Sequence, residues 1–104
     1  MKKYNILFCC GAGISSGLIA KNTRIASKKK GLNYKIQAVS QSEIDEYLGA
    51  IDLLLIGPHY ENQMDSFISK CEPYNIKPIL IPKDIYASLD GEGMLNIITN
   101  NLEE

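Results

Sequence analysis

The residues with the clearest chemical potential are a cysteine and the loop of small residues that follows it. Residues 6–18 read Ile-Leu-Phe-Cys-Cys-Gly-Ala-Gly-Ile-Ser-Ser-Gly-Leu, an apolar run that ends in two cysteines and a glycine-rich loop. Glycines allow backbone N–H groups to turn inward, and the start of a following helix adds unpaired N–H groups and partial positive charge. Such a position attracts a phosphate and lowers the pKa of a nearby thiol. We therefore predict that Cys10 is a thiolate that accepts or attacks phosphorus.

The loop after Cys10 is predicted to cradle the phosphoryl group, and its members are Gly11, Ala12, Gly13, Ile14, Ser15, Ser16 and Gly17. Ser15 and Ser16 are expected to cap the helix and to supply hydroxyl donors. The structural alternative is a tight strand-to-helix turn with an N-cap. The loop lacks the lysine of a Walker motif and the spacing of a dinucleotide-binding motif. The cysteine at its start favours the phosphoryl-binding interpretation.

The other two cysteines are predicted to be structural. Adjacent residues of a strand point to opposite faces, so only one of Cys9 and Cys10 can face the loop, and Cys9 is expected in the core or sideways. Cys71 completes an apolar helical stripe and is expected to be buried. Three cysteines, two of them adjacent, favour a reduced compartment over a disulfide framework, and no pair has metal-ligand spacing. We expect no metal site and no cofactor.

Strands are predicted over residues 4–9, 34–39, 51–56 and 77–82. The run 51–56 is nearly all apolar, which is typical of a central strand covered on both faces. Pro78 and Pro82 in the last run favour an outer strand, since proline is tolerated at sheet edges.

Helices are predicted between these strands. The first covers residues 16–30 and ends at Gly31, and a capping box at residues 40–43 begins a short crossover helix closed by Gly49. A third helix lies within residues 60–71, a turn of helix covers 84–89, and a final helix follows Asp90-Gly91-Glu92-Gly93. The side chains expected to point inward are Leu18, Ile19, Ile25, Ala26, Tyr60, Met64, Phe67, Ile68, Cys71, Met94, Ile97, Ile98 and Leu102.

The alternation of strands and helices predicts a small doubly wound α/β domain, with a four-stranded parallel sheet in the order 2-1-3-4 and helices on both faces. In such sheets the ligand lies beyond the carboxyl ends of the strands. His59, the only histidine, and residues 82–86 are therefore expected to open onto the same edge as the glycine loop. His59 is interpreted either as a contact for the phosphoryl group or as a solvated surface residue.

Composition narrows the class of protein. The chain has 104 residues, of which 45% are hydrophobic, and this favours one globular domain. Its net charge of −1 gives no overall electrostatic field that would attract nucleic acid or anionic lipid. No apolar run approaches the roughly 20 residues of a membrane-spanning helix. The amino end has no signal region, so we expect a cytoplasmic protein that neither inserts into a membrane nor binds nucleic acid.

The loop resembles the phosphocysteine loop of the lactose/cellobiose-type enzyme IIB components of the bacterial sugar phosphotransferase system, which reads approximately Cys-x-Ala-Gly-Met-Ser-Thr-Ser. Leu55-Ile56-Gly57-Pro58 followed by Tyr60, and Tyr86 with Asp90-Gly91-Glu92-Gly93, resemble later landmarks of that family. The resemblance covers nearly the whole chain and implies that residues 1–104 form one such IIB domain. The chain departs from the family pattern at Ile14, Ser16 and Gly17, and His59 stands where many relatives have glutamine.

The resemblance implies a phosphoryl carrier. Cys10 would accept a phosphoryl group from a phosphohistidine of a IIA component and pass it to a sugar bound by the membrane-embedded IIC component during uptake. The activity would be that of a protein-phosphocysteine sugar phosphotransferase without metal or nucleotide. The rim formed by Ile14, His59, Tyr60 and Tyr86 is expected to meet IIA. Sugar recognition would belong largely to IIC, so the loop does not distinguish lactose, cellobiose or chitobiose.

Two other functions are weighed against this one. The small tyrosine phosphatases and thiol arsenate reductases share this sheet and a Cys-x5-Arg loop, but the arginine position counted from Cys10 holds Ser16. Without a guanidinium to clamp the phosphoryl group, that class loses its main stabilising group. A non-catalytic anion-binding module is the second alternative.

Overall fold

A parallel sheet forms the frame of the protein. The structure is a computed structural model that describes residues 3–9 and 14–102, and in this part of the chain four strands pair in the order β2-β1-β3-β4. The strands are β1 (Tyr4–Cys9), β2 (Tyr34–Val39), β3 (Leu53–Ile56) and β4 (Pro78–Leu80). The predicted fold class, strand order and outer position of β4 are confirmed.

The strand register aligns the carboxyl ends of three strands. Cys9, the last residue of β1, stands opposite Val39 of β2 on one side and opposite Ile56 of β3 on the other. Every residue of β3 is buried, as expected for a central strand with helices on both faces. The chain segments that follow β1, β2 and β3 therefore leave the sheet at the same edge.

Four α-helices cover the two faces of the sheet: α1 (Ile14–Lys29), α2 (Met64–Cys71), α3 (Lys83–Ser88) and α4 (Gly91–Leu102). One core cluster joins α1, α3 and α4 to the face that includes Phe8 and Leu55. The other cluster joins α2 and the β2–β3 connection to the face that includes Leu7 and Leu54. Alternate residues of each strand thus supply two separate hydrophobic cores.

The first helix differs from its predicted bounds and orientation. It begins at Ile14 rather than residue 16, and Gly31 after its end has the predicted positive φ, of 70°. Ile19 and Ala26 are buried as predicted, but Leu18 and Ile25 are 39% and 45% exposed. The buried face instead includes Ala20 and Thr23. Because α1 packs against α4 as well as the sheet, small residues occupy the face where the two helices meet.

The second predicted helix is a pair of 3₁₀ segments, Gln41–Glu46 and Leu48–Ala50. The capping box is confirmed, because the Glu43 carboxylate accepts the backbone N–H of Ser40 at 3.3 Å and the Ser40 side chain in turn meets the backbone N–H of Glu43. A 3₁₀ helix rises about 2.0 Å per residue against 1.5 Å for an α-helix, so a short connection spans more of the sheet in this form.

The remaining elements lie close to their predicted positions. The helix expected within residues 60–71 divides into a 3₁₀ segment, Pro58–Gln63, and α2, because Gln63 at the boundary leaves helical geometry at φ −109° and ψ 9°. Ile68, predicted to point inward, is 49% exposed. In α4, Met94 and Ile98 are buried as predicted, and Leu95, which the prediction missed, is buried with them.

Helix α4 approaches α1 closely at its first residue. A Cβ added to Gly91 would lie 2.4 Å from the backbone of Asn22, so no larger residue fits without displacing one helix. The Asn22 side chain also donates a 2.9 Å hydrogen bond to the carbonyl of Leu89, which has a left-handed φ of 55°. The α3–α4 turn is thereby fixed to the middle of α1.

None of the helices in the described ranges is long and apolar enough to cross a bilayer.

Candidate functional site

The candidate site lies at the carboxyl edge of the sheet. The backbone N–H of Gly57 donates to the carbonyl of Cys9 at 2.8 Å, and the N–H of Ile81 donates to the carbonyl of Ile56 at 2.8 Å. These bonds extend the strand pairing by one residue beyond β3 and β4. The segments that begin at Pro58 and Pro82 consequently start at the same edge as the end of β1.

The cysteine at the end of β1 is part of the core. The side chain of Cys9 is fully buried in the cluster that also contains Ile56 and Phe67, as predicted. Cys71 is buried in the same cluster, also as predicted. Burial raises the pKa of the Cys71 thiol, and the neighbouring Lys70 ammonium opposes this only in part. A protonated, inaccessible thiol is a poor nucleophile, so Cys71 has a structural role.

The predicted phosphoryl-binding loop is divided between described and undescribed residues. Cys10, Gly11, Ala12 and Gly13 lie outside the described residues. The backbone of residues 14–17 forms the start of α1. Ser15 and Ser16 are therefore inside the first turn rather than at an N-cap, since a cap residue has non-helical dihedral angles. The first four N–H groups of a helix have no partner within it, and here they belong to residues 14–17.

The predicted rim residues form an aromatic cluster at this edge. The exposed His59 ring lies 4.6 Å from the Tyr60 ring and 5.9 Å from the Tyr86 ring, measured between centroids. Tyr60 packs edge-on against Phe67 in one core cluster, and Tyr86 packs against the other cluster. His59 thus rests between two tyrosines that are anchored on opposite faces of the sheet. The prediction that residues after β3 and β4 meet at one edge is confirmed.

A pocket of about 430 Å³ opens beside the His59 ring, and its lining is formed by Pro58, His59, Glu61, Asn62, Lys83 and Tyr86. Lys83 lies within residues 82–86, which were expected at this edge because ligands bind beyond the carboxyl ends of parallel strands. Glu61 and Asn62 were not predicted to lie here.

A side-chain hydrogen bond joins the segments that follow β2 and β3. The Gln41 amide nitrogen donates to the Gln63 side-chain oxygen at 2.8 Å. This bond joins the segment after β2 to the end of the segment that carries His59. Over residues 3–9 and 14–102, no group of three or more His, Cys, Asp or Glu side chains is arranged to hold a metal ion.

Comparisons with known proteins agree with this geometry. Residues 5–96 match the model of the family described as PTS system, Lactose/Cellobiose specific IIB subunit. The chain is 29% identical to the oligo-beta-mannoside-specific EIIB component of Bacillus subtilis strain 168, over 88% of this chain and 87% of that protein.

Solved structures show the same fold. The lactose-specific IIB component domain from Streptococcus pneumoniae superposes with a TM-score of 0.86 at 14% identity, covering 95% of this chain and 97% of that one. The cellobiose-specific IIB component from Borrelia burgdorferi superposes with a TM-score of 0.79 at 25% identity, covering 95% and 91%.

Proposed function

The chain belongs to the lactose/cellobiose-specific IIB subunit family of the sugar phosphotransferase system, and from that premise we propose that Cys10 is the residue that carries the phosphoryl group. The membership makes the protein a phosphotransferase component of sugar transport. One observation supports the choice of cysteine most directly. Cys9 and Cys71 are both buried in the core, which leaves Cys10 as the remaining cysteine of the three.

In the first step of the proposed reaction, a phosphohistidine of a IIA component presents its phosphorus to the Cys10 thiolate. The S–P bond forms as the N–P bond breaks, and the electron pair of that bond returns to the imidazole nitrogen, which takes up a proton. Phosphoryl transfer has a loose transition state with charge on the equatorial oxygens, so positioning and electrostatic stabilisation supply most of the catalysis. The N–H groups at the start of α1 are suited to that charge.

In the second step, a hydroxyl of a sugar held by the membrane-embedded IIC component attacks the same phosphorus. The new O–P bond forms as the S–P bond breaks, the hydroxyl proton passes to a general base or to water, and Cys10 leaves as the thiolate. The thiolate is then ready for another phosphoryl group. Neither step calls for a metal or a nucleotide, and both take place on the cytoplasmic side of the membrane.

The rim around the carboxyl edge is the proposed contact surface for IIA. His59, Tyr60 and Tyr86 form a fixed aromatic cluster beside the end of β1. Aromatic residues are enriched in protein interfaces because they bury a large area at a small cost in side-chain entropy. A partner that brings its phosphohistidine to Cys10 must approach this edge of the sheet.

The proposal is tested by phosphorylating the purified protein with phosphoenolpyruvate, the general phosphocarrier proteins and a cognate IIA. We expect one phosphate per chain, absent in Cys10→Ser and retained in Cys9→Ala and Cys71→Ala. Alanine is the matched control at the two buried positions because a serine hydroxyl would be left in an apolar core.

Two results would contradict the proposal. Retention of the label in Cys10→Ser would show that another residue is the acceptor. Hydrolysis of a phenyl phosphate by the protein alone would show a phosphatase, the class that the serine at position 16 argues against.

A further inference from the structure

We propose that the outer face of helix α1 docks on the anionic surface of a phospholipid bilayer. The α1 outer face consists of exposed side chains on the side of the helix away from the sheet, namely Leu18, Lys21, Arg24, Ile25, Lys28 and Lys29. The inference goes beyond the proposed function and does not depend on which residue carries the phosphoryl group. The docking is peripheral, and no part of the chain crosses the bilayer.

Charge is segregated along the chain to a degree that the net charge of −1 conceals. Residues 1–42 hold eight of the eleven Lys and Arg residues and none of the twelve Asp and Glu residues. Within this stretch, α1 contains four basic side chains, all of them exposed, and no acidic side chain. The α1 outer face is therefore positive although the whole chain is almost neutral.

The helix dipole accounts for only part of this pattern. Lys28 and Lys29 stand in the last turn, where basic side chains offset the negative end of the dipole. The same rule favours acidic side chains in the first turn, and α1 has none there. Lys21 and Arg24 lie in the middle of the helix, beyond the reach of either end. The remaining excess of positive charge is better explained by an anionic partner.

The lysines of the α1 outer face are not neutralised by the protein itself. Lys21, Lys28 and Lys29 form no ion pair with any residue of the described ranges 3–9 and 14–102, where an ion pair joins Lys70 to Asp45. Exposed and unpaired ammonium groups are available to an external anion.

The α1 outer face has a border on each side. Toward β2, Arg24 donates from Nε to the carbonyl of Ile36 at 2.8 Å. Toward α4, Asp90 and Glu92 line a pocket together with Lys29. Two carboxylates at one border leave an excess of positive charge across the four basic side chains of the face.

Two exposed aliphatic side chains lie among these basic groups. Leu18 and Ile25 are 39% and 45% exposed, and their separation of seven residues places them on the same side of the helix. A lysine can lay its methylene stem along apolar surface while its ammonium group reaches a phosphate. An anionic bilayer offers a partner to both kinds of side chain, because its phosphates lie directly above its acyl chains.

The composition of the α1 outer face favours lipid over other anionic partners. Protein interfaces are enriched in aromatic residues and Arg and are depleted in Lys, whereas this face has three lysines and no aromatic residue. A nucleic acid would bind the basic groups through its phosphates but would leave Leu18 and Ile25 without an apolar partner. A cluster of about four to eight Lys and Arg residues on an amphipathic helix is typical of binding to anionic lipid headgroups.

Docking through this face is compatible with the proposed transfer to a sugar held in the membrane. The α1 outer face points away from the sheet, since Ile19, Ala20 and Thr23 on the opposite side of the helix are buried. The carboxyl edge of the sheet therefore stays open to IIA and IIC while the protein is held near the membrane surface.

The inference is tested by co-sedimentation of the purified protein with vesicles made of equal parts of phosphatidylglycerol and phosphatidylcholine. We expect binding to these vesicles and none to vesicles of phosphatidylcholine alone. We expect the binding to be lost as salt is raised from about 0.02 M to about 0.5 M, because screening shortens the range of charge interactions. Absence of binding to the anionic vesicles at the lower salt concentration overturns the inference.

Failure of this inference is distinguishable from failure of the proposed function. Cys10→Ser is expected to bind the anionic vesicles as the wild type does, because the α1 outer face is unchanged. A protein that takes up no phosphate therefore contradicts the proposed function alone, and a protein that ignores the vesicles contradicts this inference alone.

Two triple variants of equal net charge test whether the α1 outer face is the binding surface. One removes the lysines of the face through Lys21→Gln, Lys28→Gln and Lys29→Gln. The matched control removes exposed lysines elsewhere through Lys35→Gln, Lys70→Gln and Lys77→Gln. Because each basic side chain at an anionic membrane strengthens binding about fivefold, we expect the first variant to bind about a hundredfold more weakly and the control to stay within about threefold of the wild type. Equal weakening in the two variants overturns the inference.

The aliphatic contribution is tested with Ile25→Ser, for which Ile68→Ser is the matched control. Ile68 lies on α2 and is 49% exposed, close to the 45% of Ile25. We expect Ile25→Ser to weaken vesicle binding about fivefold, the effect of burying part of one aliphatic side chain, and Ile68→Ser to leave it unchanged. Equal binding of the two variants overturns the proposed orientation on the bilayer.

An acidic protein surface is the competing occupant of the α1 outer face. It would be indicated if the wild type ignored anionic vesicles while the variant lacking Lys21, Lys28 and Lys29 accepted phosphate from IIA more slowly than its matched control. That combination overturns docking on lipid.

Discussion

The burial of Cys9 and Cys71 is testable by alkylation. Cys9 and Cys71 are fully buried, and the raised pKa of Cys71 further lowers its thiolate fraction at neutral pH. We expect iodoacetamide to modify Cys10 in the native protein at pH 7 and to leave the other two cysteines intact. Peptide mass spectrometry reads each site separately.

The control for this experiment is the same reaction in denaturing urea, where all three cysteines are expected to react. Modification of Cys71 as fast as Cys10 in the native protein would contradict the burial on which the assignment of the nucleophile depends.

Single-residue predictions were accurate where one rule decides the outcome. Alternation along β1 placed Cys9 in the core, and a left-handed turn required glycine at position 31. The predictions that Leu18 and Ile25 point inward were wrong, because apolar character alone does not decide which side of a helix is buried. The close approach of α4, made through Gly91, turns small residues of α1 inward, and a pattern of large apolar residues carries no information about that neighbour.

At the scale of elements, the docking of α4 on α1 depends on a glycine. A Cβ at position 91 would collide with the backbone of Asn22, which cannot move as a flexible side chain can. We expect Gly91→Ala to lower the free energy of unfolding by about 1 to 3 kcal/mol, the usual range for overpacked positions. Urea unfolding followed by circular dichroism measures this change.

Gly17→Ala is the matched substitution for that measurement. Gly17 lies within α1, and a Cβ there would meet nothing within 4 Å. Alanine is favoured over glycine inside a helix by about 1 kcal/mol, so we expect this variant to be more stable than the wild type. A loss in Gly17→Ala as large as that in Gly91→Ala would show that an added methyl group is costly even where it meets no neighbour, and would remove the α1–α4 contact as the explanation for position 91.

Element types were predictable where length and pattern agree, and not where a short connection must cover a long path. The four strands and the long helices follow from apolar periodicity. The β2–β3 connection has the capping box of an α-helix but forms 3₁₀ segments, because the distance it spans is set by the sheet. In the edge strand β2, the carbonyl of Ile36 accepts a hydrogen bond of 2.8 Å from the Arg24 side chain of α1. This partner lies outside the sheet and does not follow from the strand pattern.

At the scale of the whole molecule, the topology could be predicted because parallel strands with right-handed crossovers allow few arrangements. The same topology brings together His59, Tyr86 and Lys83, which are up to 27 positions apart in the sequence. The sequence predicted that His59 and residues 82–86 share this edge of the sheet. It did not predict that Glu61 and Asn62 line the same pocket, because membership of a pocket depends on the three-dimensional structure.

The stability of the whole molecule should depend on pH through Cys71. Its thiol has a raised pKa in the folded protein and its ordinary value, 9.0, when unfolding exposes it. Above about pH 9 the unfolded chain releases a proton that the folded chain retains, so the thiol's contribution to stability is complete below that pH and is lost as pH rises through the folded pKa.

We expect Cys71→Ala to be less stable than wild type by about 1 kcal/mol at pH 7, because packing is lost, and we expect this difference in stability to narrow above pH 9. Urea unfolding of both proteins from pH 7 to pH 10 measures the gap, with Ser69→Ala, an exposed change on the same helix, as the variant whose gap should stay constant. A Cys71→Ala gap that is equally constant would mean that this thiol keeps the same proton affinity in both states, and that the core around α2 admits water.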